Sequence, residues 1–155
     1  KYPDVISGLE FERLVSAGGP TGGHIIRPSD GTEPKNIAFI KCVGSRDDTK
    51  GKSYCSRACC MYTAKHAYQV KTKIEDSEAY VFYMDVRTAG KNYEEFYQRA
   101  LNAGAKYIRG RVSKIYPRGD KLILKSEDTL LGRAWRPPWC HQQVQPTWRK
   151  KSVSP

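Results

Sequence analysis

Two kinds of apolar pattern alternate along the first 110 or so residues. Ile37-Ala38-Phe39-Ile40 and Ala79-Tyr80-Val81-Phe82-Tyr83-Met84 are continuous runs, the form taken by strands covered on both faces in a parallel sheet. They predict strands over 37–40, ending close to Cys42, and over 80–84. Tyr93, Phe96, Tyr97, Ala100 and Leu101 recur at helical spacing, the stripe of a helix lying on a sheet. Between the strands, residues 56–72 contain no Gly or Pro and are rich in helix formers, which predicts one uninterrupted helix.

The boundaries carry their own chemistry. Ser7 with Glu10 reads as a capping box and Ile6 with Phe11 as a hydrophobic staple, so a helix starts there and ends at Gly18-Gly19. Asn92 with Glu95 reads as a second capping box, closed by Gly104. A short strand is expected at 106–109, then a hairpin, 111–116 with 121–125, turned by Pro117-Arg118-Gly119-Asp120. The order is βαβαβ and then ββ. The fold class is therefore α/β, a Rossmann-like parallel sheet unit with ligand space at the strand C-termini. The Gly- and Pro-rich stretch 19–35 divides a leading segment, 1–34, from the main unit, 35–132. From Arg133 to Pro155 all three tryptophans stand among prolines without any period, so this basic tail is expected to be irregular and disordered.

Length and composition narrow the picture. One core is the expectation for 155 residues. The longest apolar run has six residues, far short of the roughly 20 that span a bilayer, and nothing near Lys1 resembles a signal peptide. A first residue other than methionine suggests sequence upstream. The net charge of +11 would suit nucleic acid, anionic cofactors or an acidic partner. The tail contributes five of those charges with no acidic residue, which leaves +6 for residues 1–132. Asp and Glu interrupt the basic residues there, so nucleic-acid binding is the weaker use of the charge.

Cysteine placement is the strongest chemical signal. Four of the five, Cys42, Cys55, Cys59 and Cys60, fall within 19 positions, the first at a strand end and the others at a helix start. Such clustering favours a metal or redox site over a disulfide scaffold. A helix N-terminus favours thiolate over thiol, with Arg46, Arg57 and Lys65 adding positive charge nearby. On a regular helix Cys60 lies about 100° round from Cys59, so convergence with Cys55 demands an irregular first turn. Adjacent cysteines are awkward for a single tetrahedral ion, which favours an iron-sulfur cluster over zinc. His66, about 10 Å further along the helix, is expected to be a packed or solvent-bonded side chain. Asp85 ends the second strand where an acidic residue would bind a ribose, but Cys42-Val43-Gly44-Ser45-Arg46 is no phosphate-binding glycine loop. Asp85 is read instead as a cap or as a partner of Arg87. Tyr80, Tyr83, Tyr93 and Tyr97 have core-facing spacing rather than that of a base-stacking surface.

These residues also carry a resemblance. Tyr54-Cys55-Ser56-Arg57-Ala58-Cys59-Cys60-Met61-Tyr62, preceded by Phe39-Ile40-Lys41-Cys42-Val43-Gly44-Ser45-Arg46-Asp47 and followed by Tyr83-Met84-Asp85-Val86-Arg87, resembles the A subunit of heterodisulfide reductase. Gly19-Pro20-Thr21-Gly22-Gly23 and Arg27-Pro28-Ser29-Asp30-Gly31 are similar to that family too, so the resemblance covers about residues 1–132. It implies a partial thioredoxin-reductase-like domain in which an iron-sulfur cluster, of the 4Fe-4S type, is held by Cys42, Cys55, Cys59 and Cys60. Residues 1–34 would then belong to the flavin-domain side. The implied role is relaying electrons between FAD, iron-sulfur clusters and other subunits, with hydrogenase or ferredoxin as donor, in the cytoplasm. The glycine-rich flavin motif is not in this sequence, so FAD would bind the longer parent rather than this segment, which alone would not be a competent enzyme. The change after Gly132 looks like a shifted reading frame or a truncation. The rival reading is a zinc-stabilised basic nucleic-acid-binding module.

Overall fold

Three parallel strands form the centre of the computed structural model, which describes residues 2–119, 121–135 and 142–146. They are β1 (Asn36–Ile40), β2 (Glu78–Tyr83) and β3 (Lys106–Arg109), hydrogen-bonded in the order β3-β2-β1. The connections are α2 (Cys59–Lys73) and α3 (Tyr93–Asn102), and α1 (Gly8–Val15) precedes β1. The expected βαβαβ unit is therefore present. It is followed by an antiparallel sheet of β4 (Val112–Arg118), β5 (Lys121–Asp128) and β6 (Arg133–Trp135). Arg118 pairs with Lys121, so the hairpin turn is shorter than the four residues that the sequence suggests.

Strand alternation decides what covers the parallel sheet. Ile37 and Phe39 of β1 and Ala79 and Val81 of β2 point to a core shared with Phe11 and Val15 of α1 and Ala67 and Val70 of α2. Ala38, Ile40, Tyr80 and Phe82 point the other way, to Ile108, Leu122 and Leu124. One face thus carries helices and the other carries the antiparallel sheet, which is why every residue of β1 is buried. Gly110 lets the two sheets approach: a Cβ there would lie 1.9 Å from the Glu127 carbonyl oxygen.

The helix starts follow local chemistry to different degrees. At α1 the capping box forms as expected, the Ser7 side chain accepting from the Glu10 N–H and Glu10 accepting from the Ser7 N–H. Its C-terminus comes early, at Val15 rather than at the glycines. At α3 Asn92 adopts the left-handed region (φ +64°) and caps nothing with its side chain, so the second expected box does not form. Asn is among the few residues that enter this region cheaply. Tyr83, Tyr97 and Tyr107 pack edge to face, with centroids 5.0 and 5.7 Å apart, but Tyr93 is exposed rather than core-facing.

The segment 1–34 shares its packing with the main unit. Ile6, Phe11, Val15 and Ile25 lie in the core that contains Ile37 and Phe39. Buried Asp4 accepts hydrogen bonds from Arg27 and from the Ser29 hydroxyl and N–H, which gives the Arg27-Pro28-Ser29 motif a structural purpose. In the tail, where the sequence has no period, Arg133–Trp135 pairs with β5, and β7 (Gln142–Pro146) runs parallel to β1 on the side away from β2. The remaining tail residues, Cys140 included, lie outside the described residues. Among the described residues no helix is long and apolar enough to cross a membrane.

Candidate metal centre

The site is built at the C-terminal end of β1. Lys41 continues the ladder one residue past the strand, its N–H donating to the Phe82 carbonyl (3.1 Å). Cys42 then turns the chain with φ +56°, a conformation that costs an ordinary L-residue roughly 1–2 kcal/mol. The excursion that follows closes on itself. Lys52 N–H donates to Gly44 O (3.0 Å), Arg46 N–H to Tyr54 O (3.4 Å) and Asp47 N–H to Lys52 O (3.1 Å). Gly51 crosses so near Gly44 that a Cβ would sit 2.6 Å from its carbonyl oxygen. The twelve residues between Cys42 and Cys55 thereby become a loop whose ends meet, which returns the chain to the strand end.

The helix then starts later than its composition suggests. Arg57 is left-handed (φ +59°) and α2 begins at Cys59, after an Ala58 N-cap that offers no side-chain bond. Cys55 therefore lies before the helix rather than at its start, where its place in the sequence put it. The irregularity demanded by adjacent Cys59-Cys60 is a reversal before the helix. Cys55 is half-buried and its sulfur accepts the Arg57 N–H (3.3 Å). Cys59 and Cys60 occupy the first turn, and both are buried, as is Cys42. All four thiols are free.

Cys42, Cys59 and Cys60 act on one another, and the polar groups round them are mostly cationic. The Cys60 thiol is pulled down, first by a hydrogen bond with Cys59 and then by Lys41 and the Arg87 N–H, against its burial. The same bond, with burial, pushes Cys59 up. Burial raises Cys42 against the opposing pull of Arg46 and Lys41. Tyr62, one turn into α2, is raised by burial and then by the negative charge of these three sulfurs. Arg46 spans the site, binding Asp85 (2.6 Å) while also bonding to Cys42. Asp85 thus pairs mainly with Arg46, and with Arg87 at a longer 3.7 Å.

Lys41 is the residue that sequence patterning misses. It is only 5% exposed, and its ammonium, fully buried, has no hydrogen-bond partner of good geometry. A buried unpaired ammonium costs several kcal/mol, which calls for a negative group beside it. Its positive charge acts on the sulfurs of Cys60, Cys59 and Cys42, on Cys60 through the side chain as well. The one signal in the sequence is a lysine that interrupts the run 37–43 immediately before Cys42.

The other flagged residues sit elsewhere. His66 is packed, as expected, in contact with the rings of Phe11, Phe39 and Tyr62, and it meets Glu12 at 2.5 Å. Lys65 binds the second Glu12 oxygen (2.5 Å) rather than serving the thiols. Arg57 contributes its backbone N–H to Cys55, and its side chain is exposed.

A thiol-rich donor set, a buried cation acting on Cys60 and an arginine on Cys42 fit an anionic sulfur-ligated group. Among the described residues no group of three or more His, Cys, Asp or Glu side chains is arranged to hold a metal ion as they stand.

No protein-family profile matches the chain. It is 53% identical over 135 residues to the A subunit of the H(2):CoB-CoM heterodisulfide,ferredoxin reductase of Methanothermobacter thermautotrophicus, a match that covers 86% of this chain and 20% of that protein. It is 52% identical over 134 residues to the iron-sulfur A subunit of the CoB-CoM heterodisulfide reductase of Methanocaldococcus jannaschii, covering 84% and 20%. The A subunit of the Ferredoxin:CoB-CoM heterodisulfide reductase of Methanosarcina mazei is 43% identical over 134 residues, covering 86% and 17%. The chain spans a fifth or less of the length of these relatives.

Proposed function

We propose that this chain, whose sequence matches the A subunit of heterodisulfide reductase at about half identity over most of its length, is the cluster-binding Rossmann-like part of such an oxidoreductase. Cys42, Cys55, Cys59 and Cys60 are its ligands, and the group they hold is an iron-sulfur cluster of the 4Fe-4S type. The observation that carries the reading is that buried Cys59 and Cys60 share a hydrogen bond and lie, with buried Cys42, in the field of a buried Lys41 ammonium. Four thiolates bring four negative charges into a half-buried crevice, and Lys41 and Arg46 supply the compensation that water cannot.

Bound there, the cluster supplies one-electron transfer. The chain's own residues hold and shield it. Cys42 is fixed by the end of β1, Cys59 and Cys60 by the first turn of α2, and Cys55 by the closed loop between them. Tyr62 packs against His66 on α2, and the Arg46–Asp85 pair fastens the loop to the end of β2. In the parent protein this segment passes electrons between FAD, further clusters and partner subunits. The donor is a hydrogenase or ferredoxin, in line with the H(2) and ferredoxin in the names of the relatives, and the setting is cytoplasmic. The segment alone holds no FAD tightly and does not turn over.

Anaerobic reconstitution with iron and sulfide tests the reading. Iron and visible thiolate-to-iron absorption should appear, and should fall on replacing any one of the four cysteines by Ser but not in Cys140→Ser. Colourless protein that binds zinc and holds nucleic acid with steep salt dependence would overturn it.

A further inference from the structure

The buried Lys41 ammonium has a consequence for redox chemistry. Lysines at strand ends ordinarily extend to water. Lys41 does not: it is buried, and its N–H extends the β1–β2 ladder to the Phe82 carbonyl. Asp85, the acid just past β2, is engaged by Arg46 at 2.6 Å and Arg87 at 3.7 Å. Asp47, the other acid of the loop, binds the Thr49 hydroxyl and N–H and the Lys50 N–H. What remains for Lys41 is the sulfur of Cys60, with Cys59 and Cys42 within its field.

We propose that the Lys41 ammonium is the fixed counter-charge of the cluster and raises its reduction potential. The proposal rests on the cluster reading above. One-electron reduction adds one negative charge to the cluster and breaks no bond, the electron coming from an external low-potential donor, dithionite in the test. A cation held in the low-dielectric crevice stabilises the reduced form more than the oxidised one. Salt screens it little, because it is buried against the sulfurs rather than exposed to solvent ions. Arg46 cannot do the same, since Asp85 neutralises most of its field.

The experiment uses the reconstituted chain and compares Lys41→Met and Lys41→Arg with the unaltered protein. Iron and sulfide content, far-ultraviolet circular dichroism and a potentiometric titration read by electron paramagnetic resonance are measured on each. Lys41→Met is expected to hold its cluster but to be harder to reduce by at least about tenfold in the equilibrium constant, roughly 59 mV for one electron. Lys41→Arg should recover most of that shift. A loaded Lys41→Met with unchanged potential overturns the role of Lys41 and leaves the cluster reading intact. An equal shift in Lys41→Arg also overturns it, because shape rather than charge would then be the cause. If Lys41→Met fails to fold, Lys41→Gln replaces it with the same expected shift. Unaltered protein that takes up no iron fails the cluster reading itself, and the inference with it.

Discussion

Glu12 is the residue on which α1 and α2 meet electrostatically. Burial raises its carboxyl, but hydrogen bonds from Lys65 and His66 outweigh this and hold it below the ordinary carboxylate range. A carboxyl depressed on folding stabilises the protein above its unfolded pKa, and that contribution is lost as pH falls through the folded value. Acidification from about pH 4 downward should therefore speed amide exchange in α1 before it does so in β1 and β2. Glu12→Gln should remove the pH dependence and cost about 1 kcal/mol or less, since the carboxylate is 43% exposed. The cysteines were legible at this scale because their clustering is a one-dimensional feature. Lys41 and Glu12 were not, because each matters through partners 18 or more residues away, Cys59 and Cys60 in one case and Lys65 and His66 in the other.

Elements form where local chemistry and packing agree, and shift where they do not. The composition of 56–72 favours helix throughout, yet α2 starts at Cys59 because the loop must first return at Arg57. The order of strands and helices was readable as far as β5, whereas β6, β7 and the covering of the sheet were not: the tail has no period, and alternation within a fully apolar run does not say which face meets helices. Two substitutions test the two interfaces. Phe11→Ala removes a fully buried ring that packs edge to face on Phe39 and should cost about 3–5 kcal/mol in denaturant melts. Gly110→Ala forces a Cβ into the Glu127 carbonyl, and should lower the melting temperature and selectively deprotect the amides of β4 and β5. If the protection of β4 and β5 is unchanged in Gly110→Ala, the close approach of the two sheets is wrong.

For the whole molecule the decisive strand is β1. It lies between β2 and β7, with five register pairs on each side, so a residue stretch read as an irregular tail caps the edge of the most apolar strand. An uncovered edge of that kind invites pairing between chains. Truncation after Gly132 should therefore leave the circular dichroism of α1 and α2 in place while promoting concentration-dependent association, measured by light scattering. A truncated chain that stays monomeric and equally stable would show that β7 adds nothing. By itself the sequence determined the order of elements as far as β5, the starts of α1 and β1, the cysteine array and the resemblance to the A subunit of heterodisulfide reductase, since periodicity, caps and motifs are all local along the chain. Only the tertiary structure decided which face of the sheet meets α1 and which meets the antiparallel sheet, that Asp85 serves Arg46, and that a lysine is sealed in among the thiols. Those outcomes depend on which distant groups share a low-dielectric space, and spacing along one chain carries no record of that.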